Sequence, residues 1–165
     1  MRTPMKFIIV LLMLSIPTGV NAQQHNSSFE LENDVSLTAI TETFHAKEHK
    51  FDTCRTNDGR KICLIDGELF FGIEGVHAPR YELKHLSITL NGTDIPLETS
   101  GMYNPNLHHP DVRKAQFKFE KTDPGYLLTG FFSDGLATYV AQWLIVRQSA
   151  LRIKLSSNEN DIDEE

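Results

Sequence analysis

Residues Phe51–Gly72 read FDTCRTNDGRKICLIDGELFFG and contain both cysteines of the chain together with two Asp-Gly dipeptides. Asp-Gly between strand-like runs is typical of a type I′ hairpin turn, because both central residues of that turn need positive φ. If Asp58-Gly59 forms the turn, counting outward places Cys54 opposite Cys63 at a non-hydrogen-bonded pair. The Cα atoms of such a pair are about 4.5 Å apart, within reach of a disulfide. The stretch therefore predicts a hairpin closed by a Cys54–Cys63 disulfide.

A second turn is predicted at Asp66-Gly67, which would return the chain as a third strand. That turn pairs Leu64 with Leu69, so the stretch becomes a three-stranded meander. The disulfide then lies on one face of the meander, together with Phe70. The other face is apolar and carries Phe51, Ile62, Leu64, Leu69 and Phe71.

The first 22 residues have the pattern of a secretory signal peptide. Arg2 and Lys6 precede an apolar run over 7–16, and small residues over 20–22 form a cleavage point. The apolar run is too short to span a bilayer. We therefore expect the mature chain to begin near Gln23, to have no membrane span and to be exported to the periplasm or secreted. A disulfide can form and persist in such a compartment.

Composition predicts one domain of ordinary size. The 165 residues divide into the signal peptide, a flexible lead-in over 23–33, a single β domain over 34–156 and an acidic disordered tail over 157–165. The formal net charge is −6, and much of the excess acid lies in the tail. This balance argues against nucleic acid, whose binding needs clustered Lys and Arg. Asn26 and Asn91 begin N-glycosylation sequons.

Most of the remaining chain reads as consecutive hairpins. Segment 34–50 mixes helical spacing with Thr and Ser and is interpreted as strand or irregular structure. Segment 86–97 alternates apolar and polar residues about Asn91-Gly92, which predicts a hairpin with Ile88 opposite Ile95. Tight hairpins without alternating long helices indicate an all-β fold, either an antiparallel β-sandwich or an up-and-down β-barrel.

Segment 114–155 predicts a four-strand meander. Turns at Pro124-Gly125 and Asp134-Gly135 place Gly130 opposite Phe119 on one side and Tyr139 on the other. A three-residue loop ending at Ala150 is preferred for the last hairpin, because it brings Ile153 opposite Ile145 on the apolar face. That face is expected to contain Ala115, Phe117, Phe119, Tyr126, Leu128, Phe132, Tyr139, Ala141, Trp143 and Ile145.

Two histidine motifs are candidate metal sites. His45 to His49 matches H-x-x-E-H, which holds zinc only when both histidines lie on one helix at a cleft. The flanking residues are polar and read as β, so a zinc metalloenzyme at His45 and His49 is the least favoured alternative. In His108-His109-Pro110-Asp111, adjacent side chains of an extended segment point apart. We therefore predict no metal, no cofactor and no catalytic residues.

Loop 101–113 (GMYNPNLHHPDVR) is the longest loop and supplies the predicted contact surface, since loops on rigid scaffolds carry function. The leading hypothesis is an exported, non-enzymatic binding protein, inhibitor-like or immunity-like, that docks a protein partner. The alternative is a carrier of a small hydrophobic ligand, with the aromatic face lining a barrel cavity near Trp143. The predicted contact residues are Tyr103, Asn104, His108, His109 and Asp111, with Glu74 and His77 as a second edge.

Overall fold

The computed structural model describes residues 23–158, apart from Asn33, 108–113 and 133–134. The expected signal peptide and most of the acidic tail lie outside these described residues. The described strands are β1 (Gln24–Glu32), β2 (Val35–Thr43), β3 (Phe51–Thr56), β4 (Gly59–Ile65), β5 (Tyr81–Leu90), β6 (Thr93–Leu97), β7 (Phe117–Lys121), β8 (Tyr126–Phe132), β9 (Tyr139–Val146) and β10 (Ser149–Ser156). Short 3₁₀ turns lie at Ala46–Glu48, Lys114–Gln116 and Gly135–Ala137. The predicted all-β class is confirmed.

Two four-stranded antiparallel sheets form a β-sandwich. The first sheet has the order β1-β2-β5-β6 and the second has the order β10-β9-β8-β7. Their inner faces contribute to one apolar cluster, as expected when two amphipathic sheets pack face to face. Trp143 of β9 is fully buried in this cluster, and its Nε1 donates to the backbone oxygen of Glu98 at 3.1 Å. This bond ties the second sheet to the residue that follows β6.

The lead-in predicted over 23–33 is instead strand β1. It pairs with β2 from Gln24 opposite Glu42 onward. Although the segment is polar, Ser27 and Leu31 turn inward and are buried, and Phe29 between them packs against the sandwich core from the same face. Successive side chains of a strand point to opposite faces, so only every second residue of this edge strand has to pack against the other sheet.

The hairpin predicted over 86–97 is confirmed. Leu86 lies opposite Leu97, and Ile88 lies opposite Ile95. Asn91 and Gly92 have φ values of 50° and 76°, as a type I′ turn requires. The segment predicted as strand or irregular over 34–50 contains β2 followed by the 3₁₀ turn.

In the second sheet, the predicted buried face is largely correct but the predicted register is wrong. Gly130 lies opposite Phe117 and Ala141, rather than opposite Phe119 and Tyr139. Both connections are longer than the predicted two-residue turns, and the second contains the 3₁₀ turn at 135–137. A shift by two residues keeps every side chain on its face, so the apolar pattern does not detect it. Ala115 is the exception on that face, because it is exposed.

Aromatic cover of Gly130 is present, although the rings are not the predicted ones. A Cβ added at Gly130 would lie 2.6 Å from the ring of Phe132 and 2.9 Å from that of Phe117. The last hairpin also departs from the prediction, because Ala150 rather than Ile153 lies opposite Ile145, and Arg152 lies opposite Trp143. Its turn is at Arg147 and Gln148, and Ile153 lies at an irregularity in β10 and is 51% exposed.

Residues 44–80 form a second unit, here called the hairpin region. The strands β3 and β4 pair only with each other, and the predicted Cys54–Cys63 disulfide joins them. Cys54 lies opposite Lys61, not Cys63, because the turn is centred one residue earlier than predicted, at Asn57 and Asp58. The two cysteines are therefore diagonal neighbours, with 5.8 Å between their Cα atoms.

The predicted third strand of the meander does not form. After the turn at Asp66, only Ile65 and Glu68 bridge, and the chain then leaves β4. Phe71 instead donates its backbone N–H to Gly101, at 2.8 Å. Phe70 packs in a second apolar cluster within the hairpin region, whereas Phe71 packs against the sandwich core. These two adjacent, partly buried side chains therefore pack against different apolar clusters. The second cluster contains Phe44, Ile65 and Tyr103, with Phe51, Ile62, Phe70, Ile73 and Ala78 packed against it.

Candidate functional site

Two clefts lie where the hairpin region meets the sandwich. The first cleft has a volume of about 520 Å³ and is formed by loop 72–80, the start of β5 and residues 104–106. The second cleft, of about 400 Å³, is formed by residues 49 and 65–68, the start of β5 and residues 98–103. Tyr103 lines the second cleft and Asn104 lines the first. The start of loop 101–113 therefore separates the two clefts.

The side-chain amide of Asn104 links the segments that form the first cleft. The Oδ1 atom accepts hydrogen bonds from the backbone N–H groups of Arg80 and Tyr81, each at 3.0 Å. The Nδ2 atom donates to the backbone oxygen of Gly72, also at 3.0 Å. Asn104 has a φ of 44°, a left-handed conformation that asparagine tolerates better than most residues. One side chain thus fixes both ends of loop 72–80.

Two glycines allow this loop to lie against neighbouring backbone. Gly72 has a φ of 91°, and a Cβ there would lie 2.0 Å from the backbone oxygen of Tyr103. Gly75 has a φ of 78°, and its carbonyl accepts a hydrogen bond from the backbone N–H of Ile62 at 2.8 Å. Hydrogen bonds therefore anchor the loop at Gly72, Gly75 and Arg80.

The structure brings together three of the predicted contact residues. Glu74, His77 and Asn104 all line the first cleft. Glu74 and His77 are exposed, and Val76 between them is 56% exposed. Arg80 also lines this cleft, although it was not among the predicted contact residues. Its position before a strand is a signal that could have suggested a rim residue.

The other predicted contact residues have different placements. His108, His109 and Asp111 lie outside the described residues. Tyr103 is only 8% exposed, so it is not the exposed loop side chain that the sequence suggested. Its ring packs edge-on against Phe44 with 5.5 Å between the centroids, and its backbone N–H donates to Phe71. The loop is drawn inward here because Tyr103 completes the second apolar cluster.

The second cleft contains a histidine–carboxylate pair. His49 Nδ1 lies 2.6 Å from Asp66 Oδ2, and the other carboxylate oxygen accepts the backbone N–H of Lys50 at 2.8 Å. The His49 ring stacks on Phe44, with 4.3 Å between the centroids. The Lys50 hydrogen bond, and next the His49 hydrogen bond, lower the pKa of Asp66 below its ordinary value of 3.8. Asp66 therefore carries its charge throughout the physiological pH range.

Further carboxylates shape the electrostatics of this cleft. Glu82 pairs with Lys84 at 2.6 Å, and the hydrogen bond between them raises the pKa of the lysine. Glu98 accepts the backbone N–H of Ser100 at 2.8 Å, which lowers the pKa of its carboxyl. Burial, followed by the charges of nearby carboxylates, raises the pKa of Tyr103 to about 12. The Tyr103 hydroxyl therefore stays protonated at neutral pH, in a cleft that is lined by carboxylates.

The geometry required by the H-x-x-E-H motif is not found. Residues Ala46–Glu48 form a single 3₁₀ turn, so His45 and His49 do not lie on one helical face. Within the described residues, no three His, Cys, Asp or Glu side chains are grouped closely enough to hold a metal ion. His49 is instead engaged with Asp66.

Neither cleft reaches the aromatic residues that the ligand-carrier alternative requires. Trp143, Tyr139 and Phe132 are fully buried in the sandwich core. The Tyr139 hydroxyl donates to the backbone oxygen of Tyr103 at 3.1 Å, so its polar end is satisfied. No helix among the described residues is long and apolar enough to cross a membrane.

Comparison of the chain with protein-family models, curated proteins and solved structures gives no match.

Proposed function

We propose that this chain is an exported, non-enzymatic binding protein, inhibitor-like or immunity-like, that docks a protein partner at the first cleft. The observation that carries the proposal is the anchoring of loop 72–80 at Gly72, Gly75 and Arg80, which presents Glu74, Val76 and His77 at the cleft rim. A loop already held in its binding conformation loses little entropy on association. Such a loop is suited to recognition of a folded surface.

The composition of the rim supports a protein partner. Val76 supplies exposed apolar surface, and Glu74, His77 and Arg80 surround it with polar and charged groups. Protein interfaces commonly combine an apolar centre with a polar rim. Asn104 and Asn106 bring the start of the predicted docking loop 101–113 into the same surface.

The Cys54–Cys63 disulfide supports export, because disulfides persist mainly outside the reducing cytosol. It also crosslinks the hairpin against which loop 72–80 rests, through the hydrogen bond from Ile62 to Gly75. In the proposal, the oxidising compartment therefore stabilises the binding surface directly.

Affinity capture tests the proposal. The mature chain is immobilised, an extracytoplasmic extract of the producing cells is passed over it, and the retained protein is identified by mass spectrometry and rebound in purified form. The double variant Glu74→Ala/His77→Ala is expected to lose the partner while keeping the thermal midpoint of the parent chain, because both side chains are exposed.

A matched control changes an exposed pair elsewhere. Lys118 and Glu120 lie on β7, 3.4 Å apart, and do not line the first cleft. The variant Lys118→Ala/Glu120→Ala is expected to retain the partner fully. Recovery of no specific protein, or equal capture by the cleft variant and the parent chain, would overturn the proposed function.

A further inference from the structure

The disulfide lies in the half of the β3–β4 hairpin that has little else to stabilise it. At the base of the hairpin, Phe51 and Ile65 pack in the second apolar cluster. Residues 53–61 (TCRTNDGRK), here called the turn half, contain no large apolar side chain, and most of them are exposed. Among the described strands, β3 and β4 pair only with each other, and a two-stranded hairpin alone is marginally stable in water. The turn half therefore depends on its backbone hydrogen bonds and on the Cys54–Cys63 disulfide.

Like charges face each other in the turn half. Arg55 lies directly opposite Arg60, and like charges on directly opposed residues destabilise a strand pair. Arg60 donates to the hydroxyl of Thr53 at 3.1 Å, which leaves its positive charge in place. Within the described part of the chain, neither arginine belongs to an ion pair. The disulfide therefore holds together two strands whose side chains repel each other.

The same hairpin contacts the loop that forms the first cleft. The backbone N–H of Ile62, the residue before Cys63, donates to the carbonyl of Gly75 at 2.8 Å. A Cβ added at Gly75 would lie 2.7 Å from the Ile62 oxygen, so the two backbones are in close contact. The Asn104 bonds anchor the two ends of loop 72–80. The middle of the loop is therefore anchored through the residue beside the disulfide.

The disulfide is accessible to a thiol from solution. Cys54 is exposed and Cys63 is half-buried. Thiol–disulfide exchange begins when a thiolate attacks one sulfur and displaces the other sulfur as a thiolate. Lys61 lies directly opposite Cys54, and therefore on the face of the hairpin that carries the disulfide. Because a cation beside a cysteine stabilises its thiolate, Lys61 favours departure of the displaced sulfur.

We propose that Cys54–Cys63 is a redox-sensitive switch: a dithiol reduces it, the turn half opens, and loop 72–80 loses its central anchor at the first cleft. One thiol of the reductant forms a mixed disulfide with Cys54 and releases Cys63, and its second thiol then resolves the mixed disulfide. Two electrons and two protons pass to the chain, which gains two cysteine thiols, while the reductant becomes a disulfide. Exchange with an oxidised disulfide reverses the reaction. The inference rests on the proposed function only in taking the first cleft as the recognition surface.

Native-state hydrogen exchange on the full mature chain tests the inference without the partner. The oxidised chain is compared with the chain reduced by dithiothreitol at neutral pH, and alkylation followed by mass spectrometry gives the thiol content. Reduction is expected to accelerate exchange of the Ile62 amide, which reports the bond to Gly75, by about tenfold or more. The amides of β8 and β9 are expected to change by less than about twofold. Reoxidation with oxidised glutathione is expected to restore the original rates.

Two variants separate the disulfide from its surroundings. Cys54→Ser/Cys63→Ser is expected to show fast exchange at Ile62 in both buffers, with no response to dithiothreitol. Lys61→Gln removes the cation opposite Cys54 and is expected to slow reduction roughly two- to fivefold. Lys118→Gln is the matched control, because Lys118 is also a strand lysine with a carboxylate neighbour, and it is expected to be reduced at the rate of the parent chain.

Resistance of the native disulfide to dithiothreitol, unchanged exchange at Ile62 after reduction, equal acceleration in β8 and β9, or failure of reoxidation to restore slow exchange would each overturn the inference. An unchanged reduction rate in Lys61→Gln would overturn the part assigned to that lysine. The proposed function fails separately. If reduction releases the loop but no partner is captured, only the proposed function is rejected. If the purified partner binds the reduced and oxidised chains equally well, only the inference is rejected.

Discussion

The sandwich and the hairpin region are stabilised by different means. In the sandwich, both sheets contribute to one continuous cluster in which Trp143, Tyr139 and Phe132 have no exposed surface. In the hairpin region, the second cluster is small, and most of the side chains packed against it are only half-buried. A disulfide, the Gly75–Ile62 hydrogen bond and the Asn104 amide supply the remaining constraints.

This difference separates stability from recognition. Both clefts lie at the border of the two regions, so the sandwich provides one wall and the hairpin region provides the other. The sandwich wall is fixed by burial. The other wall is fixed by the disulfide and by the hydrogen bonds of Gly75 and Asn104. Each of these can be removed by substitution without creating a cavity in the sandwich core.

The largest effect is expected from Trp143→Ala. Removing a fully buried indole leaves a cavity and loses the bond to Glu98, so the free energy of unfolding should fall by about 3–5 kcal/mol. Urea unfolding followed by circular dichroism measures this change. The control Leu151→Ala, at a side chain that is 66% exposed, should change it by less than about 0.5 kcal/mol. Similar effects of the two substitutions would contradict the position of the core.

A smaller and local effect is expected from Cys54→Ser/Cys63→Ser. The disulfide closes a short loop, which corresponds to about 2–3 kcal/mol in the chain-entropy description. Native-state hydrogen exchange should show faster exchange in β3 and β4, with amides of β8 and β9 least affected. Equal acceleration in all four strands would show that the hairpin region is not a separate unit.

Asn104→Ala should lower stability by about 1–2 kcal/mol, because three backbone groups lose their partner. Asn106→Ala is the matched control, since Asn106 lines the same cleft and has a similar φ of 55°. The comparison removes the cost of placing alanine in a left-handed conformation. If urea unfolding gives equal free energies for the two variants, the Asn104 hydrogen bonds do not contribute to stability.

The smallest effect concerns Asp66. Its pKa is lowered by the Lys50 and His49 hydrogen bonds, so its contribution to stability is complete above the ordinary value of 3.8 and is lost as pH falls through the folded-state pKa. A carboxyl-carbon NMR titration should give a midpoint below 3.8. Asp66→Asn should remove this part of the acid dependence of the thermal midpoint. A carboxyl midpoint at or above the ordinary value would contradict the hydrogen-bond geometry.

The sequence was most informative where a turn has its own signal. Asn91-Gly92 gave the correct register of β5 and β6, because both residues adopt the positive φ that the dipeptide favours. The disulfide was also correct, although the hairpin turns at Asn57 and Asp58. The diagonal pair, with 5.8 Å between its Cα atoms, lies within the range of a disulfide just as a directly opposed pair does.

Register was wrong at the Pro124-Gly125 and Asp134-Gly135 turns, and also at the last hairpin, where no local signal exists. The last hairpin turns at Arg147, which has a φ of 57° although arginine gives no indication of a turn. Arg152 can then lie opposite Trp143 because its guanidinium donates to the backbone oxygen of Ser100, at 2.7 Å. Apolar alternation alone favoured Ile153 on the inner face. It could not account for an arginine opposite Trp143 whose guanidinium is hydrogen-bonded to a backbone oxygen.

The candidate site was only partly predictable. Glu74 and His77 were found because a polar loop containing Gly and Pro is expected at the surface. The inward position of Tyr103 depends on the second cluster, which forms between segments distant in sequence. The His49–Asp66 pair likewise joins two separate turns, so no sequence pattern announces it.

The most direct test of the border as the recognition surface is the affinity of the purified partner for two single variants. Val76 at the first cleft and Leu151 on the second sheet are both exposed apolar residues, at 56% and 66%. Calorimetry should show that Val76→Glu weakens binding about tenfold or more, whereas Leu151→Glu stays within about twofold. Loss of affinity in Leu151→Glu with full affinity in Val76→Glu would place recognition on the sandwich and contradict the account.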